Sequence, residues 1–258
     1  MKPYVMAILL GLSVCGSAFA ETIHVAAAIS MKDALEDARP GFEKATGDSV
    51  DFTFGASGAL VAQIKSGAEV DVFISAANKQ MDDLVAAKMV DAGTQRNVAE
   101  NTLVLIVPAD AKLEVTSFAD LAKPEVKKIC TGEPKTVPAG DYAQQVFASL
   151  KIGDTVESKL VYGANVRQVL SYVERGEVDA GVVYSTDAKE AGEKVKVAAT
   201  ADEKDHKPIV YPGAVVSAST HKEDAEKFLQ YLASAKGSKA LTDRGFILPT
   251  TASTQKSP

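Results

Sequence analysis

The chain alternates short apolar segments with amphipathic segments, and this alternation limits the folds that it can adopt. Residues 22–28, 50–54 and 71–76 have the length and β-branched content of strands. A helical stripe of apolar residues follows each of them, with apolar positions three and four residues apart. Strands that alternate with helices form largely parallel sheets, with ligand sites at the carboxyl ends of the strands. The sequence therefore predicts an α/β protein.

Small or hydroxyl residues stand where the first two predicted strands meet their helices. Ser30 follows the first strand, and Ser57 follows the second within Gly55-Ala56-Ser57-Gly58. We expect Ser30 to be the N-cap of a helix that Pro40 kinks or divides and that Gly47 ends. Because both serines follow parallel strands, they are expected at the same edge of one sheet.

A loop rich in glycine and proline carries the clearest signal for ligand binding. It runs from Gly132 to Ala143, after a predicted strand at 126–130 and before a helical stripe that begins at Tyr142. Pro138 stiffens the loop, and Ala139 and Gly140 then present backbone N–H groups near a helix start. The first N–H groups of a helix lack partners within it and attract anions. An ordinary surface loop is the alternative reading of this segment.

The chain crosses between two predicted lobes at two places. An apolar strand at 101–107 follows a polar stretch and begins the second lobe, and the run at 209–216 can lead back. We therefore predict one lobe from residues 21–100 together with 211–258, and another from residues 101–210. The hinge is expected at the crossings near Asn101 and Tyr211.

The N-terminus has the pattern of an export signal. Lys2 precedes an apolar run at 5–14, and Ala18-Phe19-Ala20 fits a cleavage site, so a signal peptide at 1–20 is expected to be cleaved after Ala20. Lipidation at Cys15 is the alternative, although valine precedes it where a small residue is expected. Cys130 is then the one mature cysteine, and its place at the end of an apolar strand predicts an inert core thiol.

The composition and motifs speak against several functions. The net charge of −6 argues against a broad basic surface for nucleic acid. The segment Gly55-Ala56-Ser57-Gly58-Ala59 lacks the last glycine of a nucleophile elbow, so a serine hydrolase using Ser57 is only a remote alternative. No zinc motif is present in the sequence. We therefore expect a binding protein rather than an enzyme, with no cofactor.

The candidate positions share a chemical character. Ser30, Ser57, Ala139, Val166 and Tyr184 supply hydroxyl or backbone N–H donors at predicted strand ends and helix starts. A fully ionised oxyanion offers only acceptors, so a site built of neutral donors leaves none of its groups unpaired. The pattern thus favours a small oxyanion as ligand.

At these residues the sequence resembles the periplasmic molybdate-binding proteins of ATP-binding-cassette importers. The similarity extends from Thr22 to about Thr250. It rests on segments that are specific in combination: Ala26-Ala27-Ala28-Ile29-Ser30, Phe54-Gly55-Ala56-Ser57-Gly58, Asp71-Val72-Phe73-Ile74-Ser75-Ala76, Gly132-Glu133-Pro134 with Val137-Pro138-Ala139-Gly140, Asn165-Val166-Arg167 and Gly181-Val182-Val183-Tyr184. The chain departs from some members at Ile29 and Met31 and in having a single serine in its second motif.

The resemblance implies a two-lobed periplasmic binding protein fold of type II, with a mixed sheet flanked by helices in each lobe and the ligand in the cleft between them. It implies that molybdate, and also tungstate, binds through the hydroxyls and backbone N–H groups of Ser30 and Ser57. The backbone N–H groups of Ala139 and Val166 and the phenol of Tyr184 would complete the set. The protein would make no direct bond to the metal. It would act as a periplasmic monomer that delivers the anion to a membrane permease. Sulfate or phosphate remains the alternative ligand.

Overall fold

The computed structural model describes residues 20–249, so the predicted signal peptide lies outside it except for Ala20. The strands of the described chain are β1 Thr22–Ala28, β2 Ser49–Gly55, β3 Val72–Ile74, β4 Arg96–Glu100, β5 Leu103–Pro108, β6 Ile129–Gly132, β7 Leu160–Gly163, β8 Ala180–Tyr184, β9 Val195–Thr200 and β10 Val210–Val215. The helices are α1 Lys32–Thr46, α2 Ser57–Lys65, α3 Asn78–Ala86, α4 Pro138–Ser149, α5 Gly153–Glu157, α6 Val166–Glu174, α7 Ser185–Ala191, α8 Lys222–Ala233 and α9 Ala235–Asp243. None of these helices is both long and apolar enough to cross a membrane.

The strands form two mixed sheets of five strands each. The first sheet has the order β2-β1-β3-β10-β4, and the second has the order β7-β6-β8-β5-β9. We call the first sheet with its helices the first lobe, and the second sheet with its helices the second lobe. This architecture confirms the prediction of an α/β fold with one mixed sheet in each lobe. The predicted boundaries at residues 100 and 210 remain a prediction.

Both sheets are built in the same way around three parallel strands. In the first sheet β1 pairs in parallel with β2 and β3, and β10 is antiparallel to β3. In the second sheet β6 pairs in parallel with β7 and β8, and β5 is antiparallel to β8. Each set of parallel strands therefore brings three carboxyl ends to one edge, and the segments that carry the candidate residues begin there.

The core matches the apolar pattern of the sequence. One large cluster of buried apolar side chains includes members of both sheets, and a smaller cluster involves Leu60, Phe73 and Met81 of the first lobe. Cys130 is fully buried in the large cluster, and burial raises the pKa of its thiol to about 12. A thiol that stays protonated and inaccessible is inert, as the sequence predicted.

Pro40 does not divide the first helix, and a kink at Pro40 stays a prediction. α1 continues through Pro40 without division, although proline removes one hydrogen bond of the helix. Tertiary packing offsets this loss, because the ring of the buried Phe42 lies edge-on to Phe228 at a centroid distance of 5.2 Å. Gly47 does end α1 with the expected left-handed backbone, at a φ of 88°.

The strands β4 and β7 were not predicted from the sequence. β4 includes Arg96, Asn97 and Glu100, and β7 exposes Val161 and Tyr162. Both strands lie at sheet edges, where one side of the backbone lacks a neighbouring strand. An edge strand buries less side chain than a central strand, so its apolar alternation is weak.

Candidate functional site

A small cavity lies between the two lobes, where the carboxyl ends of their parallel strands face each other. Its lining residues are Ala28, Ile29, Ser30, Gly55, Ala56, Ser57, Ala76, Val137, Pro138, Val166 and Tyr184. None of these side chains is charged, and most of them are almost completely buried. The cavity thus brings together four of the five predicted site residues, and the fifth, Ala139, directly follows a lining residue.

Ser30 lies in the short turn between β1 and α1, and its predicted role as an N-cap is wrong. Residues Ile29–Met31 form a 3₁₀ turn, and α1 begins after it without a side-chain cap. The Ser30 hydroxyl is instead hydrogen-bonded to the hydroxyl of Tyr211, at 3.0 Å between the oxygens. This contact joins residues 181 positions apart in a buried setting. Ser30 is therefore held by tertiary structure rather than by its helix.

Ser57 is the first residue of α2 and is 1% exposed. Its Oγ accepts a hydrogen bond from the backbone N–H of Ala76, with the heavy atoms 3.0 Å apart. Ala76 follows β3, the strand next to β1, so the sheet itself positions this donor. Because Oγ already accepts one hydrogen bond, the Ser57 hydrogen is available for an acceptor in the cavity.

The loop between β6 and α4 places a helix start against the cavity. Pro138 is the first residue of α4, and Ala139, fully buried, is the second. The N–H of a second helical residue has no partner within the helix, so Ala139 retains a donor at this end. Gly140 differs from the prediction, because its N–H donates to the carbonyl of Val137 at 2.9 Å.

Val166 begins α6 and is 3% exposed. The side chain of Asn165 caps this helix by accepting a hydrogen bond from the N–H of Gln168 at 3.0 Å. The cap leaves the N–H of Val166, at the first helical position, without an intrahelical partner. The second lobe therefore presents two helix starts, those of α4 and α6, beside the same cavity.

Tyr184 ends β8 and is 1% exposed. Its hydroxyl lies 3.5 Å from the carbonyl oxygen of Ala76 in the first lobe, a long contact for a hydrogen bond. Burial raises the pKa of the Tyr184 phenol well above its ordinary value, so the group stays protonated. A protonated phenol can donate to an anion.

The charges near the cavity are paired with one another. Arg167, next to Val166, lies 2.7 Å from Asp33 of the first lobe and 2.8 Å from the fully buried Asp187. The N–H of Arg167 toward Asp187 is not aligned for a hydrogen bond, so that second contact is an ion pair. Burial raises the pKa of Asp187 to about 6, and Arg167 opposes the rise. The arginine therefore ties the lobes together and presents no free cation to the cavity.

The structure does not bring a catalytic base to Ser57. The side chain of His221 contacts Asp71 at 3.3 Å, and that of His206 contacts the carbonyl of Lys207. His24 and His221 line a larger cleft of about 590 Å³, which lies by the start of β3 rather than its end. Among the described residues, no group of three or more His, Cys, Asp or Glu side chains could hold a metal ion.

Sequence reasoning missed the groups that support the two serines. Tyr211 and Asn101 hold no motif position and were assigned only to the crossings between lobes. Ala76 ends the motif Asp71-Val72-Phe73-Ile74-Ser75-Ala76, but no role in the site was expected for it. The one available signal was that Tyr211 carries the hydroxyl of the apolar run at 209–216. A buried phenol needs a hydrogen-bond partner, so this residue could have been expected to contact another polar group.

Comparison with known proteins agrees with this geometry. The model of a family described as bacterial extracellular solute-binding proteins matches residues 23–247. A Bacillus subtilis protein named as an ABC transporter substrate-binding lipoprotein, YvgL, is 41% identical over 226 residues, which cover 87% of this chain and 86% of that protein. The molybdate-binding protein ModA of Haemophilus influenzae is 38% identical over 244 residues, covering 92% and 93% respectively.

A solved structure supports the same relationship. The periplasmic molybdate-binding protein of Azotobacter vinelandii superposes with a TM-score of 0.79 at 26% sequence identity. The match covers 88% of this chain and all of that structure. The arrangement of two lobes is therefore shared with a protein whose name states an oxyanion ligand.

Proposed function

We propose molybdate as the ligand of this chain, which belongs to the family of bacterial extracellular solute-binding proteins. Family membership agrees with the expectation of a binding protein rather than an enzyme, and with a location outside the cytoplasm. The names of the relatives support the ligand, since the proteins of Haemophilus influenzae and Azotobacter vinelandii are both molybdate-binding proteins.

One observation carries the proposal: the cavity combines neutral hydrogen-bond donors from both lobes and has no charged side chain in its lining. A molybdate dianion offers four oxygens that only accept, and each donor it meets replaces a water molecule. A hydrogen bond to a charged group contributes about 1.5–3 kcal/mol. Several such bonds, less the cost of association, suffice for affinities between micromolar and nanomolar.

The proposed ligand set is the one that the resemblance implies. Ser30 and Ser57 donate from the first lobe, and the N–H groups of Ala139 and Val166 donate from the second. Tyr184 completes the set with its phenol. Molybdenum is held as its oxyanion, with no protein atom bonded to the metal.

The anion then holds the two lobes together. Protein contacts already cross between the lobes beside the cavity, including Gly58 N–H to the carbonyl of Thr136 at 2.9 Å and Arg167 to Asp33 at 2.7 Å. Release of the anion would let the lobes rotate about the chain crossings at 101–102 and 201–209. Such closure suits a protein that carries its ligand in the periplasm, as a monomer, and delivers it to a membrane permease.

Cavity size rather than charge would select among tetrahedral dianions. Sulfate has the same charge and shape as molybdate but shorter bonds, so the donors cannot all reach it at once. Tungstate is close to molybdate in size and is expected to bind as well.

A panel of oxyanions in a thermal unfolding experiment tests the ligand. A ligand at 100 times its dissociation constant stabilises the folded protein by about 2.7 kcal/mol. For a chain of this size that corresponds to a rise in Tm of about 5–10 °C. We expect molybdate and tungstate to give this rise at concentrations where sulfate and phosphate do not. A larger rise with sulfate or phosphate would overturn the assignment.

Replacing Tyr184 with phenylalanine tests the ligand set. The change removes one donor to the anion and keeps the ring, so molybdate affinity should fall about 10- to 150-fold. Titration calorimetry measures the loss. Tyr142→Phe is a matched control, because Tyr142 does not line the cavity and its hydroxyl bonds to the carbonyl of Pro208. Equal affinities for wild type and Tyr184→Phe would remove Tyr184 from the site.

A further inference from the structure

A buried chain of hydrogen-bonded side chains ends at Ser30. In the described part of the protein, Ser57 is contacted by a backbone N–H instead of such a chain. The hydrogen-bonded chain runs from Asn101 through Tyr211 to Ser30, with heavy-atom distances of 3.2 Å and 3.0 Å. Tyr211 is fully buried, Asn101 is 7% exposed and Ser30 is 3% exposed. Asn101 begins the first crossing between the lobes, and Tyr211 lies in β10, just after the second crossing.

The surroundings of Asn101 fix the direction of its amide. The backbone N–H of Thr102 can only donate, and it lies 2.9 Å from Oδ1 of Asn101. The Ser185 hydroxyl donates to the same oxygen at 2.9 Å. The Nδ2 group must therefore face the other way, where its two hydrogens reach Thr186 Oγ1 at 2.9 Å and the Tyr211 oxygen at 3.2 Å.

The direction of the amide determines the direction of the next two hydroxyls. The Tyr211 oxygen accepts from Asn101, so its own hydrogen is left to donate, and Ser30 Oγ lies 3.0 Å away. Burial raises the pKa of Tyr211 above its ordinary value and keeps this hydrogen in place. Ser30 Oγ then accepts from Tyr211, and the Ser30 hydrogen is directed to an acceptor in the cavity.

We propose that Asn101 and Tyr211 are positioning residues that orient the Ser30 hydroxyl as an obligate donor to the bound oxyanion. The proposal rests on the proposed function, in which Ser30 binds the anion. It explains how a hydroxyl that could equally accept becomes part of a site for a fully deprotonated ligand. It also links Ser30 to the second lobe, because Asn101 is hydrogen-bonded to Ser185 and Thr186 of α7.

A double-mutant cycle tests whether Tyr211 acts through Ser30. Tyr211→Phe keeps the ring and its edge contacts with Tyr184 and Phe246, at centroid distances of 5.9 and 5.3 Å, so the variant is expected to fold. We expect it to weaken molybdate binding about three- to tenfold. In the Ser30→Ala background the same change should have less than about a twofold effect, because the group that it orients is gone.

Ser57→Ala provides the matched background. Ser57 is oriented by the N–H of Ala76 and has no part in the chain from Asn101, so the effect of Tyr211→Phe should persist there in full. Calorimetric titrations of the six proteins give all the required affinities. An equal effect of Tyr211→Phe in the Ser30→Ala and Ser57→Ala backgrounds would overturn the proposal and assign Tyr211 to the packing of the hinge.

The cycle separates this proposal from the choice of ligand. If sulfate rather than molybdate binds the wild type, the proposed function fails, and the cycle is measured with sulfate instead. Orientation of Ser30 requires only an acceptor in the cavity, so the same pattern of effects is expected. If neither anion binds, both proposals fall. If molybdate binds but Ser30→Ala does not weaken binding, only the positioning proposal falls.

Discussion

Replacing Gly58 with alanine is expected to weaken molybdate binding about 10- to 100-fold while leaving the stability of the ligand-free protein nearly unchanged. A Cβ atom at Gly58 would lie 2.7 Å from Cα and 2.8 Å from the carbonyl oxygen of Thr136. These are backbone atoms of the other lobe, so they cannot move aside as a flexible side chain can. Overpacking of this kind costs about 1–3 kcal/mol, and here the cost applies only when the lobes close.

Titration calorimetry and thermal unfolding without ligand together test this prediction. Gly93→Ala, also in the first lobe, is the control, because Gly93 does not line the cavity and its Cβ would meet only the Asp91 side chain at 3.1 Å. We expect Gly93→Ala to change the affinity less than about threefold. A Gly58→Ala protein that binds as tightly as wild type would show that closure does not require this contact.

Gly140→Ala is expected to reduce the free energy of unfolding by about 3 kcal/mol or more. Its Cβ would lie 2.0 Å from the carbonyl oxygen and 2.6 Å from the carbonyl carbon of Gly132. Both atoms belong to β6, the strand on which α4 packs, so the helix start must shift away from the sheet. Substitutions that force backbone to move cost more than the ordinary 1–3 kcal/mol of overpacking.

Urea unfolding measures this loss, and Gly153→Ala is the control. No atom outside its immediate neighbours lies within 4 Å of a Cβ at Gly153, which begins α5. We expect that variant to be neutral or more stable by up to about 1 kcal/mol, because alanine restricts the unfolded chain. A loss of less than 1 kcal/mol in Gly140→Ala would mean that the loop adapts, contrary to the tight packing described.

The alternation of strands and helices made the fold predictable, because each central strand carries its own apolar signal. The pairing of Ser30 and Ser57 at one edge of the first sheet followed from that alternation alone. The 3₁₀ turn at Ser30 did not, because the sequence Ser-Met-Lys-Asp also fits an ordinary capped helix start. The Ser30 hydroxyl bonds to Tyr211 instead of capping the helix, and no local pattern predicts a contact across 181 residues.

The residues proposed to bind the anion could be predicted from the sequence, but the groups that orient those residues could not. Residues at strand ends and helix starts are marked by small or hydroxyl side chains, and the family resemblance strengthened the cases of Val166 and Tyr184. The donor to Ser57 is a backbone N–H, which every residue except proline carries, so composition cannot identify Ala76. The ion pair of Arg167 with Asp33 depends on how the two lobes meet. The spacing of apolar residues along the sequence gives no information on that contact.

A crystal structure of the protein grown with molybdate tests the central claim most directly, because anomalous scattering from molybdenum locates the anion independently of the protein. We expect one molybdenum peak in the cavity between the lobes. The oxygens of the anion should lie within hydrogen-bonding distance of the hydroxyls and N–H groups of Ser30 and Ser57, the N–H groups of Ala139 and Val166, and the Tyr184 hydroxyl. A molybdenum peak elsewhere on the protein, or an anion in this cavity that contacts only one lobe, would contradict it.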